Sequence, residues 1–141
     1  MSRENVEALQ RGYAALNAAY ESGDVNDLRP LAAEMWDPDI VLTTPGTVLA
    51  GGEEWHGHDG MLRFTAAQME AFEQMRIETL EFIDAGARLV VPVKFGGRAR
   101  HTGIEMEFHA VHVFTFLDGR ATRMDVYQSK DEALEAVGLR E

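Results

Sequence analysis

The residues best suited to chemistry lie close together in one aromatic and β-branched stretch, FHAVHVFTFLDGRATRMDVYQ, Phe108 to Gln128. A histidine that meets a carboxylate or a phenol within hydrogen-bond reach can move a proton or polarise a carbonyl, so His112, Asp125 and Tyr127 are the candidate catalytic groups. His109 and His112 are no metal pair, because residues three apart on a strand point to opposite faces. In EEWHGH, Glu53, Glu54, His56 and His58 could converge from a loop, but the spacing fixes no third ligand and no metal is expected.

Whether His112 meets Asp125 depends on the turn at LDG, since a one-residue slip carries every side chain of a strand to the other face. A two-residue type I′ turn at Asp118-Gly119 pairs Leu117 with Arg120, and puts His112 opposite Asp125 and Ala110 opposite Tyr127. A three-residue loop with Gly119 in a bulge instead pairs Phe116 with Arg120 and sets His112 opposite Met124. Asp125 and Tyr127 then leave the histidine's face. This second arrangement is the expected one, because it gathers Ala110, His112, Phe114 and Phe116 with Thr122, Met124 and Val126 on a nearly apolar face. Such a face suits a ligand pocket with one polar group. His112 is there either a core histidine satisfied by a carbonyl or a tyrosine, or a ligand contact. With no carboxylate on its face, burial should lower its pKa and keep it neutral at pH 7.

Further candidate ligand contacts come from elsewhere in the chain. Tyr13 and Trp36 each join an apolar body to a polar tip. Trp55 and His56 sit in the turn-rich run Pro45 to Gly60, which reads as a loop able to cover a pocket mouth. Leu42 on a short strand and Phe72 on a third helix complete the apolar walls. Arg98, Arg100, Glu105 and Glu107 look like a charged site, but with Thr102-Gly103 as the turn Arg100 opposes Glu105 and Arg98 opposes Glu107. These read as structural cross-strand ion pairs. Gly51-Gly52 and Gly96-Gly97 lack the strand-to-helix setting and the Lys-Ser/Thr of a phosphate loop, so no nucleotide or other cofactor is expected.

The elements that must position these groups follow from periodicity. Val6, Leu9, Tyr13, Leu16 and Tyr20 recur three and four apart and predict an amphipathic helix ended by Gly23 and Asp24. Ala8, Gly12, Ala15 and Ala19 would let neighbours approach it closely. A short helix through Leu28, Leu31 and Met35 runs into DPD, where the residue before Pro38 turns away from the α region. A brief strand, Ile40 to Thr44, precedes the loop. A third helix follows, about Gly60 to Met75, with Leu62, Met69 and Phe72 inward. From Arg76 the period becomes two, predicting strands near Ile77 to Ile83, Arg88 to His101, Ile104 to Leu117 and Ala121 to Gln128. Ser129 and Glu132 form a capping box for a terminal helix that Gly138 stops. Helices first and long antiparallel strands afterwards make an α+β protein.

At 141 residues and without an internal repeat, the chain is expected to be a single domain, 1–141. Its 13 basic against 24 acidic residues give a net charge of -11, which repels phosphate backbones and anionic membranes, so no nucleic acid and no membrane is expected as a partner. No apolar run reaches the ~20 residues of a membrane span and no signal peptide is recognisable, so a cytoplasmic location is expected. The absence of cysteine removes disulfides and thiol catalysis.

The helical hairpin, the short strand, WHGHDGMLRF opening the third helix and the long strands ending FTFLDGRATRMDVY resemble the SnoaL-like branch of the nuclear-transport-factor-2-like superfamily, over nearly the whole chain. The resemblance implies a cone, in which a curved antiparallel sheet wraps three N-terminal helices around an apolar pocket, with a short C-terminal helix, and it implies a homodimer. Dimerisation through the sheet's outer face would bury Val111 and Val113. The family's cyclases carry a histidine on the penultimate strand, matching His112, and an acid on the last, which falls on Val126. A valine cannot transfer a proton. The expected function is therefore binding of a small apolar or aromatic molecule, with at most weak acid/base chemistry by His112. A cyclase, isomerase or hydratase using His112 with Asp125 or Tyr127, and a non-catalytic dimerisation module, are the alternatives.

Overall fold

The apolar stripe of the first segment becomes α1 (Arg3–Ser22), with Leu9 and Tyr13 buried. Gly23 ends it at a φ of 80°, a conformation that suits glycine. Gly12 lets α2 (Arg29–Met35) come close, since a Cβ there would stand 3.0 Å from the Met35 methyl. Between them Asp24 caps a 3₁₀ turn, Val25–Leu28, by accepting from the Asn26 amide. The structure, a computed structural model, describes residues 3–44 and 54–139.

The chain continues as β1 (Trp36–Thr43), β2 (Glu54–His56), α3 (Gly57–Ala71), β3 (Phe72–Thr79), β4 (Ile83–Ala85), β5 (Arg88–Ala99), β6 (Glu105–Leu117), β7 (Arg120–Tyr127) and α4 (Lys130–Ala136). The strands form one curved sheet in the order β2-β1-β7-β6-β5-β3, with β4 also on β5. The α+β class and the cone are as expected. The sheet is mixed rather than wholly antiparallel, because β1 runs parallel to β7. The main core lies between α1–α3 and the concave face, where Leu9, Met35, Leu42, Leu62 and Phe114 are all buried. Asn17 ties α1 to β3 by donating to the Ile77 carbonyl and accepting from its amide, each at 2.9 Å. No helix among the described residues is long and apolar enough to cross a membrane.

Several boundaries differ from the sequence reading. The expected third helix ends at Ala71, and Phe72 opens β3 instead. Part of the expected loop is a strand: Glu54 to His56 pair with Thr43 to Val41. Gly57 to Gly60 open α3, and residues 45–53 of that loop and of the expected lid lie outside the described residues. At the β5–β6 hairpin the turn is longer than Thr102-Gly103, so Arg98, not Arg100, faces Glu105, at 3.5 Å, and Arg100 reaches Glu73 at 3.4 Å. Gly96 and Gly97 are required by close backbone approach. A Cβ on Gly96 would collide with the Met106 carbonyl, and one on Gly97 would stand 2.8 Å from the Glu73 carbonyl.

The valine strip that argued for an outer-face dimer is covered within the chain. α4 lies across the convex face, and Val90, Val111 and Val113 are buried with Ala133 and Leu134. The helix forms where expected: the Ser129 hydroxyl accepts from the Glu132 amide, and Gly138 ends it at a φ of 83°.

Candidate functional site

The β6–β7 hairpin decides which groups can meet. Asp118 and Gly119 both take positive φ, 53° and 82°, and Leu117 pairs with Arg120, so the turn has two residues and not the expected three. Aspartate tolerates the left-handed region, and this turn's twist matches that of the strands. Continued unbroken, that register would set His112 opposite Asp125. It is broken at once: Phe116 pairs with Ala121 but Thr115 with Arg123, leaving Thr122 as an extra residue, its hydroxyl donating to the Thr115 carbonyl at 3.3 Å. Past this bulge His112 faces Val126, Phe114 faces Met124 and Val113 faces Asp125. The apolar and polar rows are thus separated as expected, by a different device. Ala121, rather than Thr122, joins the concave face.

Asp125 and Tyr127 consequently cannot act with His112. Asp125 accepts from Thr43 at 2.6 Å and from Arg123 at 2.9 Å on the other face. Tyr127 packs against the cluster under α4. This corrects their candidacy as catalytic partners: the bulge turns both away from the histidine.

On the concave side a cavity of about 120 Å³ opens between α1, α2, α3 and the sheet. Tyr13, Trp36, Leu42, Ala110, His112, Phe114, Met124 and Val126 line it, as the sequence reading expected. Three expected contacts do not. Phe72 packs against Phe108, at 5.9 Å between ring centroids, because its place at the start of β3 sets it outside the cavity. Trp55 turns onto Phe64, at 5.5 Å, and its indole nitrogen is buried without a partner among the described residues. His56 lies 3.3 Å from Glu54 on the exposed strand β2. His58 is bound to the Trp36 carbonyl at 2.9 Å, so the histidines of HGH do not converge. Among the described residues no three His, Cys, Asp or Glu side chains could hold a metal.

The polar centre of the cavity is a pair that joins two distant parts of the chain. The Tyr13 hydroxyl lies 2.6 Å from His112 Nδ1, with the two rings within 10° of parallel. Phe114 stands edge-on to both rings. Burial pushes the His112 imidazole down to about 4 and the Tyr13 phenol well up, so both are neutral at pH 7. A second, looser pair lies further along α1, where Tyr20 donates to Gln68 Oε1 at 3.4 Å. Thr65 is satisfied by the Met61 carbonyl, and the buried Thr44 hydroxyl has no partner among the described residues. No Asp, Glu, Lys or Arg is among the described residues of the lining.

Tyr20 and Gln68 were missed by the sequence reading as site residues. Tyr13 and Tyr20 are seven apart, on one helical face, which was the available signal for Tyr20. Nothing local marks Gln68.

A family profile described as SnoaL-like domain matches residues 11–124. No curated protein matches the sequence. Among solved structures, an NTF2-like protein of unknown function from Burkholderia pseudomallei is 25% identical, with coverage of 98% of this chain and 99% of that one and a TM-score of 0.70. TerC, co-crystallised with polyporic acid, is 27% identical over 95% of this chain and 98% of its own, with a TM-score of 0.66. A protein of ketosteroid isomerase-like fold from Catenulispora acidiphila shares the fold at 16% identity and a TM-score of 0.68, covering 99% and 95% of the two chains.

Proposed function

Because the chain belongs to the SnoaL-like domain family, we propose that it binds a small apolar or aromatic molecule in the cavity that His112 and Tyr13 enter. The observation that carries this reading is the composition of the lining: aliphatic and aromatic walls, one buried neutral histidine and, among the described residues, no charged side chain. Such a site rewards shape and a single hydrogen bond. The volume of about 120 Å³ suits a small ring compound, on the scale of the ~150 Å³ apolar cavity that takes up benzene. The similarity to TerC, which was co-crystallised with polyporic acid, supports an organic small molecule as the ligand class. Cyclase or isomerase chemistry finds less support, since the carboxylate it would use is on the opposite face of the sheet.

Ala110 forms part of the cavity wall and is 5% exposed, so Ala110→Phe fills the space a ligand would take. Met124→Trp narrows the cavity from the partly buried Met124, with less risk to the core. In an NMR titration with indene, the native protein should show saturable shifts at Phe114 and Met124, and both folded variants should show none. Saturable binding that persists in both variants would overturn the proposal.

A further inference from the structure

We infer that Tyr13 is a positioning residue that locks the proton of His112 on Nε2, so that the cavity selects ligands carrying a hydrogen-bond acceptor, an uncharged carbonyl group above all. The inference rests on the cavity being a ligand site and adds which ligands it admits.

The argument is a count of satisfied groups. The Tyr13 hydroxyl is buried, and its one hydrogen-bond partner among the described residues is His112 Nδ1. If the phenol donates, Nδ1 accepts and the ring proton sits on Nε2, leaving a single group, Nε2–H, to be satisfied by a ligand. If Nδ1 carried the proton instead, the phenol would accept, and two groups would be stranded: the phenol O–H and the Nε2 lone pair. Each stranded buried group is costly, so the first tautomer is selected. Burial strengthens the lock, since an imidazolium would be needed before Nδ1 could also carry a proton.

The remaining lining groups agree with an acceptor ligand but do not impose it. Thr65 and Tyr20 already donate to protein partners. The Thr44 hydroxyl and the Gln68 amide nitrogen, which has no hydrogen bond to another described residue, can each donate. With no lysine or arginine among the described lining residues, a carboxylate ligand would lose its hydration without gaining a counter-charge from them. A neutral ketone, ester or quinone oxygen meets no such cost.

Three bicyclic probes of nearly equal shape isolate the hydrogen bond: indene has neither donor nor acceptor, indole donates only, and 1-indanone accepts only. In NMR titrations the native protein should bind 1-indanone about three- to tenfold more tightly than indene, the worth of one net hydrogen bond. His112→Phe should reduce that difference. Tyr13→Phe should shrink the preference for 1-indanone over indene, because the lock is lost. Independently of any variant, ¹⁵N spectra of the native protein should show His112 as the Nε2–H tautomer, and Tyr13→Phe should show a mixture. A native Nδ1–H tautomer, or indole preferred over 1-indanone in a way that His112→Phe removes, would overturn the inference. If none of the three probes binds, the cavity reading falls instead, and ligand selection falls with it.

Discussion

At the scale of single residues, the Tyr13–His112 contact explains why a histidine can stand among Phe114, Met124 and Val126 without a carboxylate. Its polar edge is satisfied by a phenol, so it need not ionise. The consequence for pH follows from the direction of the shift. The folded imidazole titrates near 4 and an ordinary one near 6.5, so between these values the unfolded chain takes up a proton that the folded one refuses. His112 therefore contributes fully above pH 6.5, and stability is lost as pH falls towards 4, on the order of 3 kcal/mol in total. His112→Gln keeps a donor and an acceptor in similar volume but does not titrate. Between pH 7.5 and 4.5, denaturant unfolding should show the native protein losing at least about 2 kcal/mol more stability than His112→Gln loses. Equal losses would mean that the histidine is hydrated in the native state.

At the scale of elements, the β6–β7 hairpin separates two roles that are easily confused. The turn sets how the strands begin, and the bulge at Thr122 sets which side chains share the cavity. A Cβ on Gly119 would meet nothing within 4 Å, so Gly119→Ala tests the left-handed backbone alone, and thermal unfolding should report a loss of about 1–2 kcal/mol. Gly96→Ala should cost more, because its Cβ meets the Met106 carbonyl and the strands must part. The opposite ranking would contradict the close packing of β5 on β6. Gly96-Gly97 is thus a glycine pair whose use is entirely structural. The absent phosphate-loop context excluded one role, but the pair's own role depends on a neighbouring strand that local sequence does not reveal.

At the scale of the whole molecule, the sheet has two covered faces with separate functions. The concave face and α1–α3 hold the cavity, while α4 closes the convex face over Val90, Val111 and Val113. Leu134 is 5% exposed beneath α4, so Leu134→Asp buries a charge and should release the helix, at a cost of about 3 kcal/mol or more. The uncovered valines should then drive self-association, visible as higher-mass species in analytical ultracentrifugation. Indene binding should be unchanged in the fraction of native mass, because the cavity lies on the other side of the sheet. Loss of binding there would show that the two faces are coupled.

Legible in the residues alone is what periodicity records: the order of the helices and the long strands, the capped terminal helix, and an apolar row in which His112 is the one ionisable group. Alternation along a strand is local, and the hydrophobic effect enforces it whatever the turn, which is why the two faces separate as expected although the three-residue loop is not formed. Tertiary structure decided how the separation is achieved and who meets whom. One extra residue at Thr122 leaves no mark in the alternation until the partner strand is known. Tyr13 reaches His112 across 99 positions of sequence, a contact made by helix packing on a curved sheet rather than by spacing. The cover over the valine strip likewise came from α4 folding back, because an apolar row records that something must bury it and not which part of the chain will.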